Sequence, residues 1–229
     1  MKKDTNSQCG HCHNGSLMSE LVCHLPYAIF SVAFSLVILS FTTYLTWNMK
    51  DPLLLSSGAS VLFHSFHFLH IVFAATGTLI AFFRYSQNVL LGLIVAVFTT
   101  MIFCTTSDAI LPYIGGNLLG VDMHFHLCFL SELRNVIPFL IVGLINGIVM
   151  GKYHRTNSSF YSVFSHFFHI LISSFASTFY LVSHGMLQWY TSIGMVFLFL
   201  VIAVVIPCTL SDVVIPIAAA RAGNKNERN

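Results

Sequence analysis

The sequence predicts an all-α membrane protein: six transmembrane helices built as a 3+3 inverted-topology internal repeat. Three observations carry that expectation. The 229 residues are 56% hydrophobic and only 8% charged, with a mean hydropathy of +0.80, whereas a soluble domain is roughly 25% charged. Six apolar runs are each long enough to cross a bilayer. Three polar blocks recur, in the same order, in both halves of the chain.

The runs lie near 22–46, 61–83, 89–112, 128–150, 159–182 and 192–217, and a spanning helix needs about 20 residues. The first 17 residues are polar, without an apolar h-region or a small-residue cleavage site, so the first run reads as a mature helix and not as a signal peptide. Asp51-Pro52, Gly115-Gly116-Asn117 and the stretch from Gly151 to Ser159 supply turn residues between runs. These short connections leave no room for a soluble domain. The chain therefore divides into a Cys/His-containing tail at 1–18, a first three-helix unit at 19–116, a second at 117–220 and a polar tail at 221–229.

The basic residues set the orientation. With six spans, Lys2, Lys3, Arg84, Lys152, Arg155, Arg221, Lys225 and Arg228 fall on one side, against Lys50 in the loops of the other and Arg134 inside the fourth run. This bias predicts a multi-pass protein of the cell (inner) membrane with both termini cytoplasmic. The formal net charge of +2 is no sign of nucleic-acid binding, because the basic residues sit in loops and form no patch. The expected partners are the lipid bilayer and a metal ion, and a bundle of this size is compatible with a homodimer. The six cysteines lie in apolar segments or in the N-terminal tail, not in a disulfide framework.

The recurring blocks carry the chemistry. Ser19-Glu20-Leu21 with Pro26 returns as Ser131-Glu132-Leu133 with Pro138. His67-Phe68-Leu69-His70-Ile71 returns as His166-Phe167-Phe168-His169-Ile170. Cys104-Thr105-Thr106-Ser107-Asp108 with Pro112 returns as Cys208-Thr209-Leu210-Ser211-Asp212 with Pro216. The offsets are 112, 99 and 104 residues, so only connecting lengths have drifted. A unit of three spans is odd, so its second copy crosses the membrane in the opposite sense, the common plan of secondary transporters.

Each half thus holds one Glu, one H-x-x-H and one Asp. Residues i and i+3 share a helix face, so both imidazoles of a pair can reach one cation. Imidazole and carboxylate together suit Zn, Fe(II), Mn, Co or Ni, and ionisable groups inside a bilayer mark ion pathways. Depth along the runs assigns Glu20, His166, His169 and Asp212 to an inner cluster. It assigns Glu132, His67, His70 and Asp108 to an outer one. At 1.5 Å per residue the two would stand about 10–15 Å apart, unless tilt or proline breaks merge them into one central site. Cys104 and Cys208 precede the aspartates by one turn, as packing residues or soft ligands. His64 extends the His series, and Arg134 offers a counter-ion to Glu132 or Asp108. Further soft ligands flank the spans: Cys9, His11, Cys12, His13, Cys23 and His24 inside, and His124, His126 and Cys128 outside.

These residues point to a non-enzymatic transporter of a divalent transition-metal ion. A haem-binding electron-transfer protein is the first alternative, but two stacked haems need histidines most of a helix apart. An intramembrane metal-dependent enzyme is the second, but one asymmetric site with its own general base would then be expected.

Overall fold

The computed structural model describes residues 17–49, 52–153 and 158–226. These form helices and short connections, with no strand among the described residues. The helices are α1 (Leu17–Asn48), α2 (Pro52–Phe83), α3 (Val89–Thr105), α4 (Leu111–Leu118), α5 (Cys128–Ser131), α6 (Leu133–Tyr153), α7 (Ser158–Ser183), α8 (Ile193–Thr209) and α9 (Ile215–Asn226). Helix α3 runs into α4, and α8 into α9, through π turns. Six stretches are long and apolar enough to cross a membrane: Glu20–Asn48, Leu53–Phe83, Val89–Leu118, Leu133–Lys152, His166–Ser183 and Trp189–Gly223. The chain is a multi-pass, all-helical membrane protein.

Several helices outrun the apolar runs that announce them. Helix α2 starts at Pro52, whose fixed φ and missing N–H suit a first helical position. Ser56, Ser57 and Ser60 dilute the hydropathy of its first turns without breaking it; Ser57 Oγ donates back to Leu53 O at 2.7 Å. Helix α3 is capped by Asn88, whose Oδ1 accepts from Leu91 N at 3.1 Å, satisfying one of the free N–H groups of the first turn.

Helices α2 and α7 form the centre and pack along each other more extensively than any other pair. About 67% and 72% of their spanning windows are buried, against 17% for the α6 span. Helix α1 packs on α7, and its repeat counterpart α6 packs on α2. Gly143, Gly147 and Gly151 make a small-residue stripe on α6. A Cβ on them would meet Val72 O at 2.7 Å, Leu79 Cβ at 2.8 Å and Phe83 Cδ2 at 2.7 Å, so their smallness lets the two backbones approach. Large side chains such as Phe30, Val37, Ile102, Val142 and Ile145 stay exposed on the peripheral helices, as a lipid-facing surface requires.

One end of the bundle is covered by the chain from 119 to 132 and the turn at 184–188. His124 N donates to His184 O at 2.9 Å. Gly185, at φ +135°, passes Asp122 O at a distance a Cβ would reduce to 3.0 Å. Trp189 Nε1 donates to Thr43 Oγ1 at 3.3 Å on the neighbouring helix.

Candidate metal centre

Asp108 and Asp212 each sit in a π turn, Thr106–Ile110 and Leu210–Val214. Leu111 N and Ile215 N donate to the carbonyls of Thr106 and Leu210, closing the wide rings. The local cause is in the sequence. Pro112 and Pro216 lie four residues after the aspartates, and a proline removes the donor for that earlier carbonyl and crowds it. A π turn is a frequent response, often at functional sites. The central helices serve the turns' carbonyls: Ser177 Oγ donates to Ser107 O at 2.9 Å, and Thr78 Oγ1 to Ser211 O at 3.1 Å. Without water in a hydrocarbon core, such groups need protein partners.

The four histidines and two aspartates form one continuous network. Asp108 Oδ2 lies 2.8 Å from His67 Nδ1 and 2.7 Å from His70 Nδ1. Asp212 Oδ2 lies 3.1 Å from His166 Nδ1 and 2.5 Å from His169 Nδ1. The two halves join at the centre, where His70 Nε2 stands 2.5 Å from His169 Nε2. His67, His70, His169, Asp108 and Asp212 are all buried. An ionised carboxylate only accepts, so the Nδ1 atoms carry the protons. With neutral rings, His70 Nε2 and His169 Nε2 are then lone pairs facing one another, which repel unless a proton or a metal cation is shared between them. Cys208 Sγ, 3.9 Å from His70 Nε2, completes a buried group of three donor atoms within 4.8 Å of one another.

The side chains therefore depart from the expected inner and outer clusters in two ways. His70 and His169 meet at mid-span, because α2 begins well before the apolar run and its histidines fall near its midpoint. The aspartates stand behind the histidines and do not face the gap, an arrangement that fixes ring orientation and raises ligand basicity.

The glutamates stand apart from both aspartates. Glu132, the C-cap of α5, places Oε1 3.0 Å from His64 Nε2 and accepts from Asn135 Nδ2 at 3.0 Å. His67 and His70, expected to share a cluster with Glu132, are bonded to Asp108 instead. Glu20 is buried at the start of α1, where its carbonyl holds His24 Nδ1 at 2.6 Å, and the His24 ring meets His166 edge-on at 5.4 Å. Arg134 is exposed. Cys9, His11, Cys12 and His13 lie outside the described residues.

At the covered end, His64, His126 and Cys128 also bring donor atoms within 4.8 Å of one another. Burial, and then the nearby His64, hold His126 below the usual imidazole range. Burial, and then Glu132, push the Cys128 thiol up to about 12.

Sequence reasoning missed several contributors. Ser173 Oγ donates to Asp108 Oδ1 at 2.9 Å, alongside Ser107 Oγ at 2.8 Å. A Cβ at Gly77 would lie 3.0 Å from Asp212 Oδ2, so the missing side chain makes room for the carboxylate. The signal was the polar run Ser173-Ser174-Phe175-Ala176-Ser177-Thr178 inside a span, since hydroxyls buried at helical spacing in a membrane helix must find partners.

No protein family, curated protein or solved structure matches this chain. What can be said of its chemistry rests on its six apolar helices and on buried His, Asp and Cys groups compatible with intramembrane metal binding.

Proposed function

We propose that the chain is a carrier for a divalent transition-metal ion (Zn, Fe(II), Mn, Co or Ni) across the cell membrane, with both termini cytoplasmic and two three-span units in inverted topology. The observation that carries this reading is the convergence of His70 Nε2 and His169 Nε2, each with its Nδ1 engaged by a buried aspartate. Two aspartates bring two negative charges into the bilayer, and one divalent cation balances them. Ionisable groups at that depth are costly unless so neutralised.

In this reading the ion is the cargo. His70, His169 and Cys208 supply two nitrogens and one sulfur, and a fourth position is left for water. Zn–N bonds of about 2.0–2.1 Å in tetrahedral geometry separate two nitrogens by roughly 3.3 Å. The Nε2 atoms, 2.5 Å apart, must then part by somewhat under about 1 Å, so loading spreads α2 from α7. One histidine and one aspartate of each pair come from each three-span unit, so spreading that seam is also the motion that would rock the units apart. The close Nε2 pair leaves no slot for a porphyrin between His70 and His169, which weighs against the haem alternative.

The test is elemental analysis of the purified, tag-free protein after loading with Zn, Fe(II) or Mn, beside the His67/His70/His166/His169 quadruple alanine variant. About one equivalent more metal in the unaltered protein than in the variant supports the reading. Equal metal in both samples, or none in either, overturns it.

A further inference from the structure

We propose that His64, His126, Cys128 and Glu132 form a second metal-binding site at the covered end of the bundle, for a borderline-soft divalent cation of the Zn class. His64 comes from α2, whereas His126, Cys128 and Glu132 come from one short stretch: the residues before α5, its first residue and its C-cap. Nothing in the α2–α7 centre requires them to meet.

The lone-pair argument applies here independently. His64 Nδ1 donates to Ser60 O at 2.7 Å, so in the neutral ring Nε2 is a bare lone pair. That Nε2 is buried, has no hydrogen-bond partner among the described residues and stands 3.0 Å from Glu132 Oε1. Two such atoms are satisfied by a proton on the ring or by a metal cation beside them, and the neighbouring soft donors favour the metal. His126 and Cys128 bring a further nitrogen and a thiol within 4.8 Å. His64, His126 and Cys128 make a three-donor N/S set, with the Glu132 carboxylate beside His64; such a set suits tetrahedral Zn or Co(II) and not Mg or Ca. The supporting frame is built: Glu132 N donates to Cys128 O at 2.7 Å, and the His126 ring is stacked 5.6 Å from His184. His126 N is held by Tyr180 Oη at 3.1 Å.

The position suggests what the site does, and this step rests on the carrier reading. His64, His67 and His70 follow at three-residue intervals along one face of α2. A small cavity lined by His67, Thr100, Cys104, Phe129 and Val136 lies between the α5 region and the centre. An ion held at His64 is thus one turn from His67, and the site is a loading or release station at the mouth of the pathway.

The test counts metal by equilibrium dialysis of the full chain against Zn and then Co(II), in a C9S/C12S/H11A/H13A background that removes the tail's own ligands. The expected result is two ions per chain, one in H64A/C128S, and one in H70A/H169A. In the H70A/H169A protein, the thiolate-to-cobalt absorption should disappear on adding Cys128→Ser, a near-isosteric change, and weaken on adding Glu132→Gln. Undiminished stoichiometry in H64A/C128S, or a cobalt spectrum that ignores Cys128→Ser and Glu132→Gln, overturns the proposal. Loss of one ion in H64A/C128S with no loss in H70A/H169A would keep this site and instead overturn the central one.

Discussion

Asp108 and Asp212 occupy equivalent places in the two halves of the chain, and the structure treats them differently. Both accept from two histidines. Asp108 also takes Ser107 and Ser173 hydroxyls on Oδ1, whereas Asp212 Oδ1 and Ser211 Oγ have no hydrogen-bond partner among the described residues. The outlying histidines differ as well: the His67 side chain is 3% exposed and His166 17%. One half is a locked scaffold and the other has slack. The proposed carrier would need both, since a bound ion must be held and then released. Under that proposal the Asp212 half, with Gly77 beside it, is the half that moves.

Four substitutions probe that contrast, in falling order of effect. Asp108→Asn should be the most damaging to the fold. Removing one member of a buried charged network costs about 3–5 kcal/mol, and an Asn, with one oxygen replaced by an amide donor, can no longer accept from both the two serines and the two histidines. Asp212→Asn should cost less, because fewer groups depend on it. Thermal unfolding in detergent would show this as a larger Tm drop for D108N than for D212N; equal drops would remove the distinction between the halves. Gly77→Ala places a methyl 3.0 Å from Asp212 Oδ2. Overpacking of this kind costs about 1–3 kcal/mol, and tightening the loose half should slow transport more than it lowers metal affinity. Turnover and binding constants measured on one preparation separate the two effects.

Ser173→Ala should cost about 1 kcal/mol and make the Asp108 half resemble the other, so its melting curve should approach that of a protein with two loose halves. The smallest effect is expected at the cysteines. Cys208→Ala should weaken Zn relative to Mn by about tenfold, because it removes the soft donor nearest the gap. Cys104→Ala should change that ratio less than Cys208→Ala, since only Cys208 belongs to the group of three donors at the gap. Competition dialysis with both metals would read the ratio.

The six apolar helices were legible in the sequence, because membrane helices announce themselves by hydropathy. What stayed hidden follows from local physics. Ser56, Ser57 and Ser60 masked the first turns of α2, which misplaced His67 and His70 by more than two turns and split one centre into two. Asp-x-x-x-Pro announced a kink, but not that a π turn would hand the neighbouring carbonyls to Thr78 and Ser177 on the opposite unit's central helix. Glu132 matched Glu20 in the repeat, yet the α5 turn before it draws it to His64. Its role follows from a loop that has no periodic signal.

The most direct test of the account is metal uptake into proteoliposomes carrying an encapsulated fluorescent Zn indicator, comparing the unaltered protein with His70→Ala/His169→Ala at matched protein density. The account predicts uptake that saturates with external Zn and falls at least about a hundredfold in the double variant, the loss expected when an ion's ligands inside the bilayer are removed. Uptake at an unchanged rate in a folded double variant would contradict it.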